Sequence, residues 1–223
     1  MLRTSFCRPL LIVAGALLFS SGAHAASAVA LPAPAADIAA STVKGPQKAV
    51  FAGGCFWGVE AVYRHVKGVT SAVSGYAGGT EKTADYTTVS GGNTEHAESV
   101  EVTYDPQQVS YGQLLTVFFS VAHNPTELNR QGPDVGTQYR SAIFYVSDDQ
   151  KRVASAYIEQ LNNAKVFGKP IVTQVAPLPA FYAAEAYHQD YAAKHPTQPY
   201  IVVHDLPKVA NLQKQFPTLY TGK

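Results

Sequence analysis

Apart from Met1, this chain of 223 residues contains no methionine, and it holds only two cysteines and one tryptophan. Cys7 lies in the first few residues, so Cys55 stands alone in the body of the chain. A single thiol closes no internal disulfide, which excludes the stapled frameworks of small secreted domains. Charge is sparse and balanced, at +1 overall. Without a basic excess, nothing marks nucleic acid or anionic lipid as a partner. Hydrophobic runs are short. The apolar stretch Leu10–Phe19 is too brief to cross a bilayer. No internal repeat is visible.

That stretch has another reading. Arg3 and Arg8 form a basic lead, Leu10–Phe19 an apolar middle, and Ala23-His24-Ala25 a small-residue cleavage site. Residues 1–25 are therefore expected to be a cleaved signal peptide, with the periplasm as destination and no membrane attachment after cleavage. Residues 26–47 are rich in Ala, Pro and Ser, as in Leu31-Pro32-Ala33-Pro34-Ala35, and are expected to form a flexible linker. Residues 48–223 are expected to be one catalytic domain with an irregular C-terminal tail.

The most informative stretch is Val50-Phe51-Ala52-Gly53-Gly54-Cys55-Phe56-Trp57-Gly58. A short apolar run meets two glycines, then Phe56, Val59, Tyr63 and Val66 recur at helical spacing. This reads as strand, tight turn and helix, with Cys55 at the helix N-terminus. Free N–H groups and the helix dipole there favour an anion, so the thiol is expected to ionise easily. A buried and inert cysteine is the competing reading.

Further along, Val69–Tyr76 reads as a strand followed by a polar loop to Thr94. Val100, Val102 and Tyr104 alternate as a half-buried strand. Ser110 and Gln113 have capping-box spacing ahead of a broad apolar helical face through Ala122. Residues 123–140 form a long polar loop, Ala142–Val146 a buried strand, and Ser147 with Gln150 opens a helix to about Ala164. Ile171–Val175 reads as a strand, Ala180–Lys194 as a helix, and Ile201–Val203 as a short strand. The first six elements follow the split βαβ order. The fold expected is α+β: a two-layer, ferredoxin-like sandwich on a mixed, mostly antiparallel sheet, with additional helices.

Partners for the thiol can be sought among the polar residues. The seven histidines carry no hydrolase signature and no ligand spacing joined to carboxylates or cysteines, so a metal site is not expected. Glu98 opens a buried strand, where desolvation would keep it protonated as a proton donor. A plain surface glutamate is the rival reading. The loop after Arg130 offers Asp134, Gln138, Tyr139 and Arg140. Tyr139 and Tyr86 could donate to a polarised oxygen, or simply pack with a satisfied hydroxyl.

These residues resemble a known family. Gly54-Cys55-Phe56-Trp57-Gly58 is similar to the active-site motif of the A-type peptide methionine sulfoxide reductases. The likeness continues through Gly75-Tyr76-Ala77-Gly78-Gly79, His96-Ala97-Glu98, Arg130-Gln131-Gly132-Pro133-Asp134, Gly136-Thr137-Gln138-Tyr139-Arg140-Ser141 and Phe181-Tyr182-Ala183-Ala184-Glu185. The resemblance implies that Cys55 attacks the sulfur of a methionine S-sulfoxide, free or in a peptide. It implies that Glu98 protonates the leaving oxygen, with Tyr86 and Tyr139 hydrogen-bonded to it. Phe56 and Trp57 would hold the methyl group and Asp134 would shape the pocket. Cys55 would end as a sulfenic acid.

Many members resolve that acid with a C-terminal cysteine. The matching place here is Pro199-Tyr200-Ile201, and no cysteine follows. The implied enzyme is a one-cysteine monomer. It carries no cofactor and depends on an external thiol, either a thioredoxin-like protein or a small molecule. Its clients would be oxidised proteins. A methionine-free body also suggests an enzyme immune to the lesion it repairs. A thiol peroxidase, a thiol transferase or a non-catalytic module binding Met-sulfoxide peptides are the competing functions.

Overall fold

The computed structural model describes residues 29–222; the expected signal peptide lies outside the described residues. The chain runs β1 (Gln47–Gly53), α1 (Phe56–Arg64), β2 (Val69–Ala77), α2 (Tyr86–Ser90), β3 (Ala97–Tyr104) and α3 (Tyr111–Val117). It continues through β4 (Arg130–Gln131), β5 (Asp134–Val135), β6 (Ser141–Tyr145), α4 (Asp148–Asn163), β7 (Gln174–Pro177) and β8 (Phe181–Ala183). It ends with α5 (Tyr191–Lys194) and α6 (Leu206–Gln215). The main sheet has the order β7-β6-β1-β3-β2-β8. Every pairing in it is antiparallel except β6 with β7. Its centre, β6-β1-β3-β2 with α1 and α3, is the expected split βαβ arrangement.

The central strand β1 is apolar on both faces because both are covered. Ala49 and Phe51 face the helices, where Phe51 stacks on Tyr63 at 5.0 Å and Phe118 at 5.1 Å. Val50 and Ala52 face the other way, into a thinner layer with Ala77, Ala97, Ala142 and Phe144. The Ser110–Gln113 capping box forms as expected and starts α3. The helix then widens into a π turn over Phe118–Ala122. That turn delivers His123 beneath Gly53, where an added Cβ would lie 3.0 Å from its ring. His123 bonds the Phe118 carbonyl at 3.0 Å and Ser141 Oγ at 2.7 Å. Burial pushes it down to about 3. It is a neutral structural histidine.

Several expectations need correction, mostly late in the chain. Ala180–Lys194 is not one helix. Phe181–Ala183 pairs with β2 as an edge strand, and only Tyr191–Lys194 is α-helical. The strand expected at Ile171–Val175 runs from Gln174 to Pro177. Ile201–Val203 is no strand; Ile201–Asp205 is a π turn leading into α6. The loop after β2 contains a missed short helix, α2, capped by the Asp85 side chain on Thr88 N–H at 3.0 Å. The 123–140 loop folds into the small β4–β5 ladder and a 3-10 turn, Thr137–Tyr139.

The flexible linker expected at 26–47 is also corrected from Val29 onward. Leu31 and Ile38 pack against the main core. The Pro32 carbonyl accepts from Tyr157 Oη at 2.7 Å, and Gln160 bonds Ala35 N–H at 2.8 Å and the Ala33 carbonyl at 2.9 Å. Asp37 accepts from Ser110 Oγ and from Gly112 N–H at 2.8 Å, covering the N-terminus of α3. Ala/Pro composition leaves an extended backbone with free polar groups, and α3 and α4 supply their partners. Asp37→Ala should therefore cost about 1 kcal/mol, the usual loss for an N-terminal cap, read as a lowered denaturant midpoint at unchanged m-value.

Candidate active site

The turn between β1 and α1 is fixed by Gly54, at φ +90°, where an added Cβ would lie 2.5 Å from Gln131. Only glycine fits both the left-handed backbone and the close approach. The next residue, Cys55, is the N-cap of α1, as expected. It is a free thiol, 8% exposed.

Glu98 enters from β3, opposite Tyr76 of β2. It is 2% exposed, and its Oε2 accepts the Phe56 N–H at 3.0 Å. The carboxyl thus satisfies one of the unpaired N–H groups of α1 and lies beside Cys55. Burial pushes it up to about 8, against the pull of the Phe56 N–H, and the charges of Asp134 and Asp205 add to the rise. Glu98 is therefore a protonated acid at neutral pH.

The expected easy ionisation of Cys55 is not what the free enzyme shows. Burial, then the charge that Glu98 acquires above about 8, then that of Asp205 hold the thiol well above its ordinary value; the Trp57 N–H and Lys208 oppose them. A helix N-terminus favours the thiolate by at most about 2 kcal/mol, whereas full burial can shift an ionisation by about 3–5 pH units.

The two phenols converge on the same corner from separate elements. Tyr86 starts α2, its N–H bonded to Glu185 Oε1 at 2.9 Å, while Tyr76 Oη holds Glu185 Oε2 at 2.9 Å. Tyr139 sits in the 3-10 turn steadied by Arg140, which bonds the Glu95 carbonyl at 2.8 Å and the His96 carbonyl at 3.1 Å. Burial raises both phenols, and the charges of Glu98 and Cys55 act on each. Both hydroxyls therefore stay protonated, and neither has a partner among the described residues. They are donors awaiting an acceptor.

Asp134, on β5, accepts a hydrogen bond from Tyr200 Oη. Phe56 is 1% exposed and lies beside His188 at 5.0 Å and Tyr76 at 5.9 Å. Trp57 is half-buried, stacked on Tyr191 at 3.9 Å with Tyr200 edge-on at 6.1 Å. All seven residues expected at the site thus belong to one corner of the fold.

Several residues of this corner were not anticipated. The Trp57 Nε1–H donates to His188 Nδ1 at 3.1 Å, which fixes the indole and leaves the His188 proton on Nε2. His188 is 2% exposed, its Nε2 is unpartnered among the described residues, and it lies 4.4 Å from the Tyr86 ring. His188 and Tyr191 fall in the segment whose sequence reads as one helix. Tyr200 lies in Pro199-Tyr200-Ile201, where the sequence shows only the lack of a cysteine. Among the described residues no group of three or more His, Cys, Asp or Glu could hold a metal ion.

A lone buried thiol facing a protonated carboxyl and two unpartnered phenols defines a thiol enzyme that works on an oxygen-bearing substrate. Residues 47–219 match the family model described as peptide methionine sulfoxide reductase. A protein of Mesorhizobium japonicum described as peptide methionine sulfoxide reductase MsrA 2 is 62% identical over 179 residues, covering 80% of this chain and 92% of that protein. A Synechocystis protein of the same description is 55% identical over 188 residues, covering 83% and 88%. Among solved structures, reduced Mxr1 from Saccharomyces cerevisiae aligns with a TM-score of 0.65 at 35% identity, covering 71% of this chain and 91% of that one. Methionine sulfoxide reductase A of Corynebacterium diphtheriae aligns with a TM-score of 0.60 at 35% identity, covering 70% and 78%. The chain belongs to the A-type peptide methionine sulfoxide reductases, oxidoreductases that reduce methionine sulfoxide in proteins.

Proposed function

We propose that Cys55 is the nucleophile of this reduction and that it works alone. Its sulfur attacks the sulfur of a methionine S-sulfoxide, whose oxygen lies against Glu98, Tyr86 and Tyr139. Glu98 gives its proton to that oxygen, and the phenols steady the charge that develops there. Oxygen passes to Cys55, so thiol plus sulfoxide becomes sulfenic acid plus thioether. Phe56 and Trp57 hold the substrate's methyl group, and Asp134, tied to Tyr200, shapes the pocket wall.

The observation that carries this reading is the Glu98 carboxyl held protonated against the first N–H of the helix that Cys55 caps. No cysteine follows Cys55, so the sulfenic acid is left to an external thiol, either a thioredoxin-like protein or a small molecule. We further place the enzyme in the periplasm as a monomer. The Arg3/Arg8 lead, the Leu10–Phe19 run and Ala23-His24-Ala25 support export.

The test is a single turnover. Without reductant, the protein should make one methionine per chain from a methionine S-sulfoxide peptide and leave a dimedone-reactive Cys55; dithiothreitol should restore turnover. Several methionines per chain without reductant, or none with it, would remove the one-cysteine mechanism.

A further inference from the structure

The π turn Ile201–Asp205 and the start of α6 bring an ion pair against α1 that the mechanism above leaves unused. Asp205 is fully buried and Lys208 is 8% exposed, with Nζ 3.3 Å from Asp205 Oδ1. The other carboxylate oxygen, Oδ2, has no hydrogen-bond partner among the described residues. A Cβ built at Gly58 would lie 2.1 Å from Asp205 Oδ1 and 2.7 Å from Lys208 Nζ. Both charged ends therefore press on the first turn of α1, three residues beyond Cys55, through the gap that Gly58 leaves open.

Such a pair is a poor device for stability. Desolvating two charges offsets most of their attraction, and an apolar pair of similar size commonly does as well. What it does supply is a cation, little exposed to water, against the first turn of the helix that Cys55 caps, and an anion that fixes where the cation sits.

We propose that Lys208 and Asp205 are positioning residues that set how readily Cys55 ionises, with Lys208 as the cation that favours the thiolate and Asp205 as the anion that holds and restrains it. This deepens the assignment of Cys55 as nucleophile and rests on it. The other titratable groups facing this corner come from every element packed around it. They are Glu98 of β3, Asp134 of β5, Tyr86 of α2, and Tyr139 and Tyr200 of the flanking turns. His204 acts on Asp205, and His123 feels Lys208 from the far side. Burial and Glu98 keep the resting thiol protonated; Asp205 adds to that and Lys208 opposes it. The two members of the pair thus act on the thiol with opposite sign.

That opposition gives a readout that a merely structural role would not produce. In the full chain, iodoacetamide alkylation of the Cys55 peptide is followed by mass spectrometry as a function of pH. Lys208→Met should move the midpoint upward by about one pH unit, and Asp205→Asn should move it downward by a similar amount, as expected for removal of one near charge. Below both midpoints each shift reads as a roughly tenfold change in alkylation rate. The double variant should return close to the wild type. Midpoints that move in the same direction, or do not move, overturn the proposal. Should Lys208→Met fail to fold by circular dichroism, Asp205→Asn decides alone, and an unmoved or raised midpoint overturns it. Alkylation does not require sulfoxide turnover, so this outcome is separate from the failure of the nucleophile assignment.

Discussion

Cys55→Ser should lose methionine sulfoxide turnover to background, a fall on the order of 10⁴-fold or more, equivalent to roughly 5.5 kcal/mol of lost barrier lowering. A serine hydroxyl ionises far less readily than a thiol and is a weaker nucleophile unless a base activates it. Among the described residues the groups around Cys55 are engaged otherwise, Asp205 by the Lys208 ammonium. Glu98 is held protonated, His123 is neutral and already bonded to Ser141, and His188 accepts from Trp57. The fold itself should survive. Serine is a preferred N-cap, so a hydroxyl is well suited to the start of α1 where Cys55 stands. Thermal unfolding should therefore stay within about 1 kcal/mol of the wild type while the methionine yield disappears. Turnover kept within tenfold of the wild type would mean that another group attacks the sulfoxide.

The same segment shows what a sequence can and cannot carry. The β1–α1 turn was legible because two glycines interrupt an apolar run and a helical period begins after Cys55. The alternation of Val100, Val102 and Tyr104 was legible for the same kind of reason: each is buried on one face of β3. Local period failed where the partner decides. Phe181–Ala183 lies in an Ala-rich stretch that reads as helix, yet it pairs with Gly75–Ala77 as an edge strand. Gly75 permits this, since a Cβ there would lie 2.4 Å from the Phe181 ring and from the Tyr182 carbonyl. A sequence shows the glycine but not the side chain that fills the space. Gly58 repeats the lesson with Asp205 and Lys208.

The site divides along the same line. The residue types around Cys55 can be named from their motifs, but the ionisation of the thiol cannot. The helix N-terminus is a local feature written in the spacing. The burial that outweighs it is assembled from β3, the β4–β5 loop and the C-terminal turns, which are distant in the chain. His188 illustrates the converse. It is ordinary by spacing and acquires a role only because Trp57 points its N–H at it.

Glu98→Gln is expected to lower kcat by about 10²–10⁴-fold, the usual range for loss of a general acid, with KM changed only a few-fold. The amide matches the carboxyl in size, and its oxygen can keep the Phe56 N–H, so binding and fold should persist. The pH profile separates a lost proton from a lost contact. Burial raises Glu98, so it is protonated and competent below about 8 and loses its proton as pH rises through that value. Wild-type activity should therefore fall on the alkaline side of about 8. Cys55 has the opposite requirement, since its reactive form appears as pH rises, and the two demands together give a bell. Because the groups interact, the limbs belong to the pair and not to either residue. In Glu98→Gln the alkaline fall should vanish, leaving a low rate that climbs with pH. The rise should also begin earlier, because a carboxylate that opposes the thiolate has gone. A variant that retains the alkaline limb would place the proton donor elsewhere, with Tyr86 and Tyr139 the next groups to replace.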